Sequence, residues 1–152
     1  MAILQRKDLA SGDPRAVARA WRLAGDEARR GARLEVAAER YRKGLEIFPD
    51  DVALLTGLAQ LELANNRPAS ARETVEKVLA IAADDVSAML VAAEVDLAQN
   101  QLEAAGKRLE DVRARKPDHP LSQARLAQLS GRLLEISEDY DGALDLYREA
   151  VK

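Results

Sequence analysis

The stretch DDVALLTGLAQLELANN, residues 50–66, returns 34 residues later as DDVSAMLVAAEVDLAQN, residues 84–100. Both copies begin with an Asp-Asp pair, end in Asn, and keep the same small or apolar residue at several positions between. The apolar residues recur every three or four positions, which indicates helices. A period of this length is typical of folds built from stacked helix pairs. We therefore predict an all-α repeat fold.

The composition sets limits on the class of protein. The chain has 152 residues, of which 47% are apolar, 32% charged and only 3% aromatic. It contains no cysteine, which excludes disulfides, thiolate zinc sites and thiol chemistry. No apolar run reaches the roughly 18 residues of a membrane span, and the apolar patch at the N-terminus is too short for a signal peptide. Localisation stays open: cytoplasmic, or periplasmic if the chain is part of an exported protein.

The net charge of −3 is unevenly distributed. Residues 1–49 hold eleven Lys/Arg against seven Asp/Glu, whereas residues 50–152 hold twelve against nineteen. The N-terminal part is therefore basic and the remainder acidic, which predicts an electrostatic dipole.

Capping and turn residues set the helix boundaries. Asp13 and Pro14 mark a start, with Asp as N-cap and Pro at the first helical position. The Asp-Asp pairs mark two more starts, and Pro49 ends a helix. The predicted helices, about eight in number, are 14–30, 34–47, 52–64, 69–82, 86–98, 103–115, 121–136 and 140–151.

The repeat resembles the tetratricopeptide repeat, a 34-residue helix–turn–helix unit. The matching positions are clearest in the first repeat, where they are Trp21, Gly25, Ala37, Tyr41, Gly44 and Pro49. The resemblance implies a right-handed α-solenoid of antiparallel helix pairs with four repeats at about 18–51, 52–85, 86–119 and 120–152. These form one domain, 14–152, after an N-terminal extension, 1–13. The fourth repeat fits only with about four extra residues, 120–123. Trp21, Tyr41 and Tyr147 are interpreted as inter-helix packing residues.

In this family the first helix of each repeat lines a concave groove that receives a peptide or partner helix. Carried over position by position, the resemblance implies a groove formed by Arg19, Arg22, Asp26, Arg29, Thr56, Gln60, Leu63, Leu90, Glu94, Leu97, Arg125, Gln128 and Arg132.

The groove residues predict the chemistry of the partner. Relatives that bind chaperone C-termini hold the terminal carboxylate with Lys and Asn, but Arg22 and Asp26 stand at those positions here. We therefore expect no binding of chaperone C-termini. The expected partner carries apolar residues flanked by acids, with the three groove leucines driving affinity and the arginines setting orientation. In the alternative interpretation, neighbouring helices cover these leucines.

No residue pattern in the sequence predicts a catalytic, metal-binding or phosphate-binding site. The single histidine, His119, lies in a connector between Asp118 and Pro120, and the carboxylate pairs lie at helix starts, where capping explains them. Without strands there is no phosphate-binding loop of the strand–helix type. The acidic net charge argues against nucleic acid, and the alanine-rich face opposite the arginine stripe against a membrane surface. We predict no catalytic residue, no metal, no cofactor and no membrane insertion.

The sequence therefore predicts a non-catalytic scaffold for protein–protein interaction, bacterial to judge by its Ala- and Arg-rich composition. Two alternatives remain open. The chain could be a self-assembling array, and so a homo-oligomer, or the tetratricopeptide portion of a larger bacterial enzyme or of a secretion or exopolysaccharide-export protein.

Overall fold

The computed structural model describes residues 13–138, which form seven α-helices and no strand. The predicted all-α helical-repeat fold is confirmed for this part of the chain. Three helices start one residue earlier than predicted, and the predicted eighth helix, 140–151, lies outside the described residues. The helices are α1 (Pro14–Arg30), α2 (Leu34–Ile47), α3 (Val52–Ala64), α4 (Pro68–Ile81), α5 (Val86–Ala98), α6 (Leu102–Ala114) and α7 (Pro120–Ile136).

The chain divides between Ala82 and Ala83 into two compact units. In unit 1, α1 packs on α2 and α3, and α3 also packs on α2 and α4. In unit 2, α5 packs on α6, and α7 packs on both. Consecutive helices within a repeat are joined by short connections and form helix hairpins. The assignment of residues 14–152 to a single domain stays a prediction.

Aspartate side chains begin three of the helices. Asp13, Asp51 and Asp85 accept hydrogen bonds from backbone N–H groups of the first turns of α1, α3 and α5, at 3.0, 2.9 and 2.7 Å. The second aspartate of each Asp-Asp pair is thus the N-cap, an interaction that contributes about 1 kcal/mol. The exposed His119 has the same role in α7, where Nδ1 accepts from the Leu121 N–H at 3.3 Å.

The turns within the repeats also recur every 34 residues. Ala32, Asn66 and Asn100 have φ values of 55°, 55° and 57°. The N–H after each of them bonds to the carbonyl five residues earlier, at 2.8–2.9 Å. This is the Schellman arrangement, which satisfies carbonyls at the helix end. After α7 the corresponding residue is Glu138, with φ 66°, four residues beyond a strict 34-residue step.

Ala32 is the unfavourable member of this series because an L-residue with a Cβ is strained at positive φ, where Asn is better tolerated. We expect Ala32→Asn to raise the free energy of unfolding by about 0.5–1 kcal/mol. The reciprocal change Asn66→Ala should lower it by a similar amount. Urea unfolding followed by circular dichroism measures both, and a fall in stability for Ala32→Asn would contradict the explanation.

The core of unit 1 is built around one aromatic ring. Tyr41 of α2 is fully buried. A Cβ placed on Gly25 of α1 or on Gly57 of α3 would lie 2.5 or 2.7 Å from the Tyr41 ring. The ring therefore occupies space that these two glycines leave open, and it joins three helices. The remaining buried members of this cluster are Ala18, Ala28, Ala37, Leu54 and Leu61.

Candidate functional site

The expected partner-contacting residues lie on the first helix of each repeat, and the fold brings these helices together in pairs. In unit 1, α1 contacts α3, and in unit 2, α5 contacts α7. We call the surface that α1 and α3 form the first-helix face of unit 1, and that of α5 and α7 the first-helix face of unit 2. Each face is described separately below.

On the first-helix face of unit 1, most of the expected residues have some access to solvent. Arg19 is exposed, and Arg22, Asp26, Arg29, Gln60 and Leu63 are partly buried. Thr56 is the exception. Only 6% of it is exposed, and its hydroxyl donates to the Val52 carbonyl at 2.7 Å. Thr56 therefore belongs to the interior of α3 and not to the accessible surface.

Asp26 links this face to the buried tyrosine. The Tyr41 hydroxyl donates to Asp26 Oδ1 at 2.6 Å, and Arg22 Nη1 donates to Asp26 Oδ2 at 2.7 Å. Both carboxylate oxygens are engaged, and bonds to an ionised partner are the stronger kind. The Asp26 side chain is 18% exposed and that of Arg22 is 33% exposed. Since this contact uses one of its five N–H groups, Arg22 is held in place with donors to spare.

The same network alters the ionisation of Tyr41. Burial, reinforced by the bond to the Asp26 carboxylate, raises the pKa of Tyr41 to about 12, although the nearby Arg29 guanidinium opposes the shift. Arg29 Nε is itself buried and has no hydrogen-bond partner within residues 13–138. The neutral hydroxyl is therefore the form that the folded unit stabilises.

We expect the Tyr41 phenol to ionise only near pH 12. An unfolded tyrosine ionises near pH 10, so the contribution of Tyr41 to stability should be lost as the pH rises from about 10 towards 12. The phenolate absorbance of Tyr41→Phe, subtracted from that of the native protein, isolates Tyr41 from the other two tyrosines. A difference signal with a midpoint near pH 10, while the helical circular dichroism persists, would contradict this expectation.

On the first-helix face of unit 2, the expected polar residues are accessible to solvent, whereas the expected leucines are buried. Gln128 and Arg132 are exposed, and Glu94 of α5 forms an ion pair with Arg125 of α7. Leu90 and Leu97 are only 4% exposed each. Both leucines are therefore part of the interior, as in the alternative interpretation in which neighbouring helices cover them. They are not part of the proposed contact surface.

An apolar residue that sequence reasoning did not include lies on α7. Leu121 is 75% exposed and lies four residues before Arg125, hence on the same stripe of the helix. It belongs to an additional first turn that α7 shares with α1, since both helices have 17 residues whereas α3 and α5 have 13. Leu121 could have been found from the sequence, because it lies four residues before Arg125 and directly after Pro120, which marks the helix start.

Two further polar contacts connect the helices of a repeat internally. The fully buried Asp96 of α5 accepts from Arg108 Nε of α6 at 2.7 Å. At the positions 34 residues earlier, Glu62 of α3 accepts from the Thr74 hydroxyl of α4 at 2.8 Å. Burial raises the pKa of Glu62. These contacts join the first helix of a hairpin to the second, so we assign them to the structure and not to the site.

Within residues 13–138, no group of three or more His, Cys, Asp or Glu side chains is placed to hold a metal ion. None of the seven helices has both the length and the hydropathy that a bilayer crossing requires.

The architecture described above defines a class: an α-helical repeat protein built from hairpins with a 34-residue period. The tetratricopeptide-repeat family model matches residues 32–90. The tetratricopeptide-repeat resemblance that the sequence pattern indicated is therefore shown for residues 32–90. The comparison with curated protein sequences gave no significant match.

Solved structures of this class superpose on most of the chain. The first tetratricopeptide domain of human RPAP3 is 21% identical and has a TM-score of 0.68, and the match covers 84% of this chain and all of that domain. MamA from Desulfovibrio magneticus RS-1 is 16% identical with a TM-score of 0.68, covering 96% and 88%. Pseudomonas aeruginosa PilF is 26% identical with a TM-score of 0.65, covering 93% of this chain and 62% of PilF.

Proposed function

We propose that this protein is a non-catalytic interaction module that binds a peptide or helix of a partner protein through the first-helix face of its repeats. The observation that supports this most directly is the Tyr41–Asp26–Arg22 network, in which a buried tyrosine and a carboxylate hold a partly exposed guanidinium in one orientation. A side chain fixed in this way loses less entropy on binding than a free arginine does.

The charge of this face indicates what it binds. Among the α1 residues expected on this face, Arg19, Arg22 and Arg29 outnumber the carboxylate Asp26, which is already engaged by two donors. The excess positive charge therefore favours a partner segment with Asp or Glu side chains. Leu63 on α3, in the same unit, offers an apolar contact. We propose a partner segment in which acidic residues flank an apolar one.

A structure similar to this chain contains such a ligand. The first tetratricopeptide repeat domain of Spaghetti (RPAP3), 19% identical with a TM-score of 0.59, is bound to the HSP90 peptide SRMEEVD. That peptide is acidic, which supports the proposed class of partner. The residues that would hold a terminal carboxylate differ here, since Asp26 is engaged internally and Thr56 is buried. We therefore propose recognition of internal acidic side chains and not of a C-terminus.

The test is a selection of C-terminally amidated twelve-residue peptides on the whole protein, followed by fluorescence anisotropy of the selected sequences. We expect enrichment of Asp and Glu around an apolar residue. Arg22→Glu should weaken binding of these peptides at least ~tenfold, because it replaces an attraction at the contact by a repulsion.

A matched control is Lys77→Glu, which makes the same change of charge at an exposed residue of α4 that forms no ion pair with the residues the structure describes. It should leave the affinity within about twofold. The proposal would be contradicted by selected peptides without acidic enrichment, or by equal losses in Arg22→Glu and Lys77→Glu. Free SRMEEVD should bind no more tightly than its amidated form.

A further inference from the structure

One face of α1 lacks the covering that the same face has elsewhere in the chain. In α3, the residues facing the preceding hairpin are Leu54, Gly57 and Leu61. Leu54 lies 2.8 Å from a Cβ placed on Gly44 of α2, and Tyr41 of α2 lies against Gly57. In α3, therefore, this face packs against α2, the helix that precedes α3 in the chain.

The equivalent face of α7 is covered in the same way. Its residues are Leu126, Leu129 and Leu133, and α7 packs on α5 and α6. Leu126 and Leu129 are 9% and 3% exposed, and Leu133 lies 3.5 Å from a Cβ placed on Gly106 of α6. In both units, therefore, these positions pack against a preceding helix that is the second member of a hairpin.

The corresponding residues of α1, counted back 34 residues from α3, are Ala20, Leu23 and Glu27. Among the helices that the structure describes, α1 packs only on α2 and α3, and neither covers Leu23, which is 44% exposed. Leu129, at the same position of α7, is 3% exposed. Glu27 is exposed, and so is Arg19 at the other end of the same stripe. We call Arg19, Leu23 and Glu27, with the partly buried Ala24 beside them, the outer face of α1; Ala20 is only 7% exposed and does not belong to it.

The charges on this outer face are arranged symmetrically about Leu23. Arg19 lies four residues before Leu23 and Glu27 four residues after it, so the three share one stripe of the helix. When two copies of such a helix pack antiparallel about a two-fold axis at Leu23, Arg19 of each copy lies opposite Glu27 of the other. An isologous contact needs this self-complementarity. The small side chain of Ala24 allows the two backbones to approach closely.

We propose that the outer face of α1 binds the same face of a second copy of this chain, with the two helices antiparallel, Leu23 against Leu23 and two reciprocal Arg19–Glu27 ion pairs. The two proposals share Arg19, but the binding of peptides is tested at Arg22, which the dimer contact does not use. Arg19 would then act at the dimer contact, and the first-helix face of each copy would keep Arg22 for partners.

A head-to-tail alternative fits the charges less well. In the contact between α7 and α5, Arg125 pairs with Glu94. Arg19 occupies the position of Arg125 in the first repeat, and Arg132 occupies the position of Glu94 in the last. Stacking the first repeat of one copy on the last repeat of another would therefore place Arg19 opposite Arg132. Two like charges disfavour that contact, whereas the two-fold arrangement pairs opposite charges.

The experiment is light scattering and sedimentation equilibrium on the whole protein from ~10 to 300 μM, at low and high salt, against the monomer mass of 16.6 kDa. One helix pair is a small interface, so we expect a weak dimer with a dissociation constant in the range of ~10–100 μM, weakened several-fold in 0.5 M salt. Arg19→Glu and Glu27→Arg should each weaken dimerisation ~tenfold or more, since each change affects two contacts at once.

The decisive variant is the exchange Arg19→Glu with Glu27→Arg, which restores opposite charges and should restore the dimer. Lys77→Glu, the matched control, should dimerise as the native protein does. Circular dichroism checks that every variant keeps its helices. A monomeric native protein at 300 μM, single variants that dimerise normally, or an exchanged variant that stays monomeric would each overturn the proposal. A monomer would leave the outer face to a helix of a different protein.

Discussion

Replacing Tyr41 with alanine should lower the free energy of unfolding of unit 1 by about 3–5 kcal/mol, the usual cost of truncating a large buried aromatic residue. The ring is fully buried and lies between Gly25 of α1 and Gly57 of α3. Because the glycines have no side chains to collapse into the space, a cavity would remain between three helices. The loss of the hydroxyl would also leave Asp26 with one donor fewer.

Tyr41→Phe separates these two contributions. It keeps the ring and removes only the bond to Asp26, so we expect a loss of about 1–2 kcal/mol. Urea unfolding followed by circular dichroism measures both variants. A loss below about 1 kcal/mol for Tyr41→Ala would show that the helices close around the missing ring, and equal losses for both variants would assign the effect to the hydroxyl alone.

The second large effect concerns the glycine opposite this ring. Gly57→Ala should lower the free energy of unfolding by about 2 kcal/mol, although alanine is the better helix former by about 1 kcal/mol. The new Cβ would lie 2.7 Å from Tyr41 Cε1 and 3.2 Å from its hydroxyl oxygen. The ring cannot move away because Gly25 of α1 also confines it. A Cβ placed on Gly25 would lie 2.5 Å from Tyr41 Cε1. The clash should therefore exceed the gain in helix propensity.

Gly106→Ala is the matched control for this prediction. Gly106 is also within a helix, but among the described residues a Cβ placed there meets only Leu133, at an ordinary contact distance of 3.5 Å. This variant should gain about 0.5–1 kcal/mol from helix propensity. The two substitutions are chemically identical and are expected to have opposite signs. Thermal unfolding of both variants gives the comparison, and a stabilised Gly57→Ala would show that the Tyr41 ring adjusts freely.

The helices were largely predictable because their signals are local. Asp51 and Asp85 cap helix starts, and Asn66 and Asn100 adopt the positive φ of the turns, through groups close by in the chain. Apolar spacing and the 34-residue repeat then define the hairpins. The small residue Gly25 and the aromatic Tyr41 were predicted to serve inter-helix packing, and in the structure they are in direct contact. Trp21 also packs against this core, with its Cβ 3.0 Å from a Cβ placed on Gly44 of α2, but it is only partly buried, and the Arg40 guanidinium lies 5.9 Å from its ring centroid.

The candidate site was less predictable because side-chain exposure depends on residues distant in sequence. The stripe spacing put Leu90 and Leu97 on the predicted contact surface together with Leu63, yet only Leu63 keeps partial access to solvent. The pattern also treated Arg22 and Asp26 as separate contacts. The structure pairs them directly, and Tyr41, a residue 15 positions from Asp26, donates to the same carboxylate. Leu121 went unnoticed because it lies in an extra helical turn outside the 34-residue pattern.

The sequence by itself determined the repeat, the helix boundaries and the class of fold, because period, caps and turns depend on interactions between residues that are near neighbours. Only the tertiary structure decided which side chains on those helices reach solvent and which form networks. The same position faces a packed helix in α3 and α7 but is exposed as Leu23 in α1, where no described helix precedes it. Burial is a property of the packed assembly, so identical spacing in the sequence leads to different surfaces.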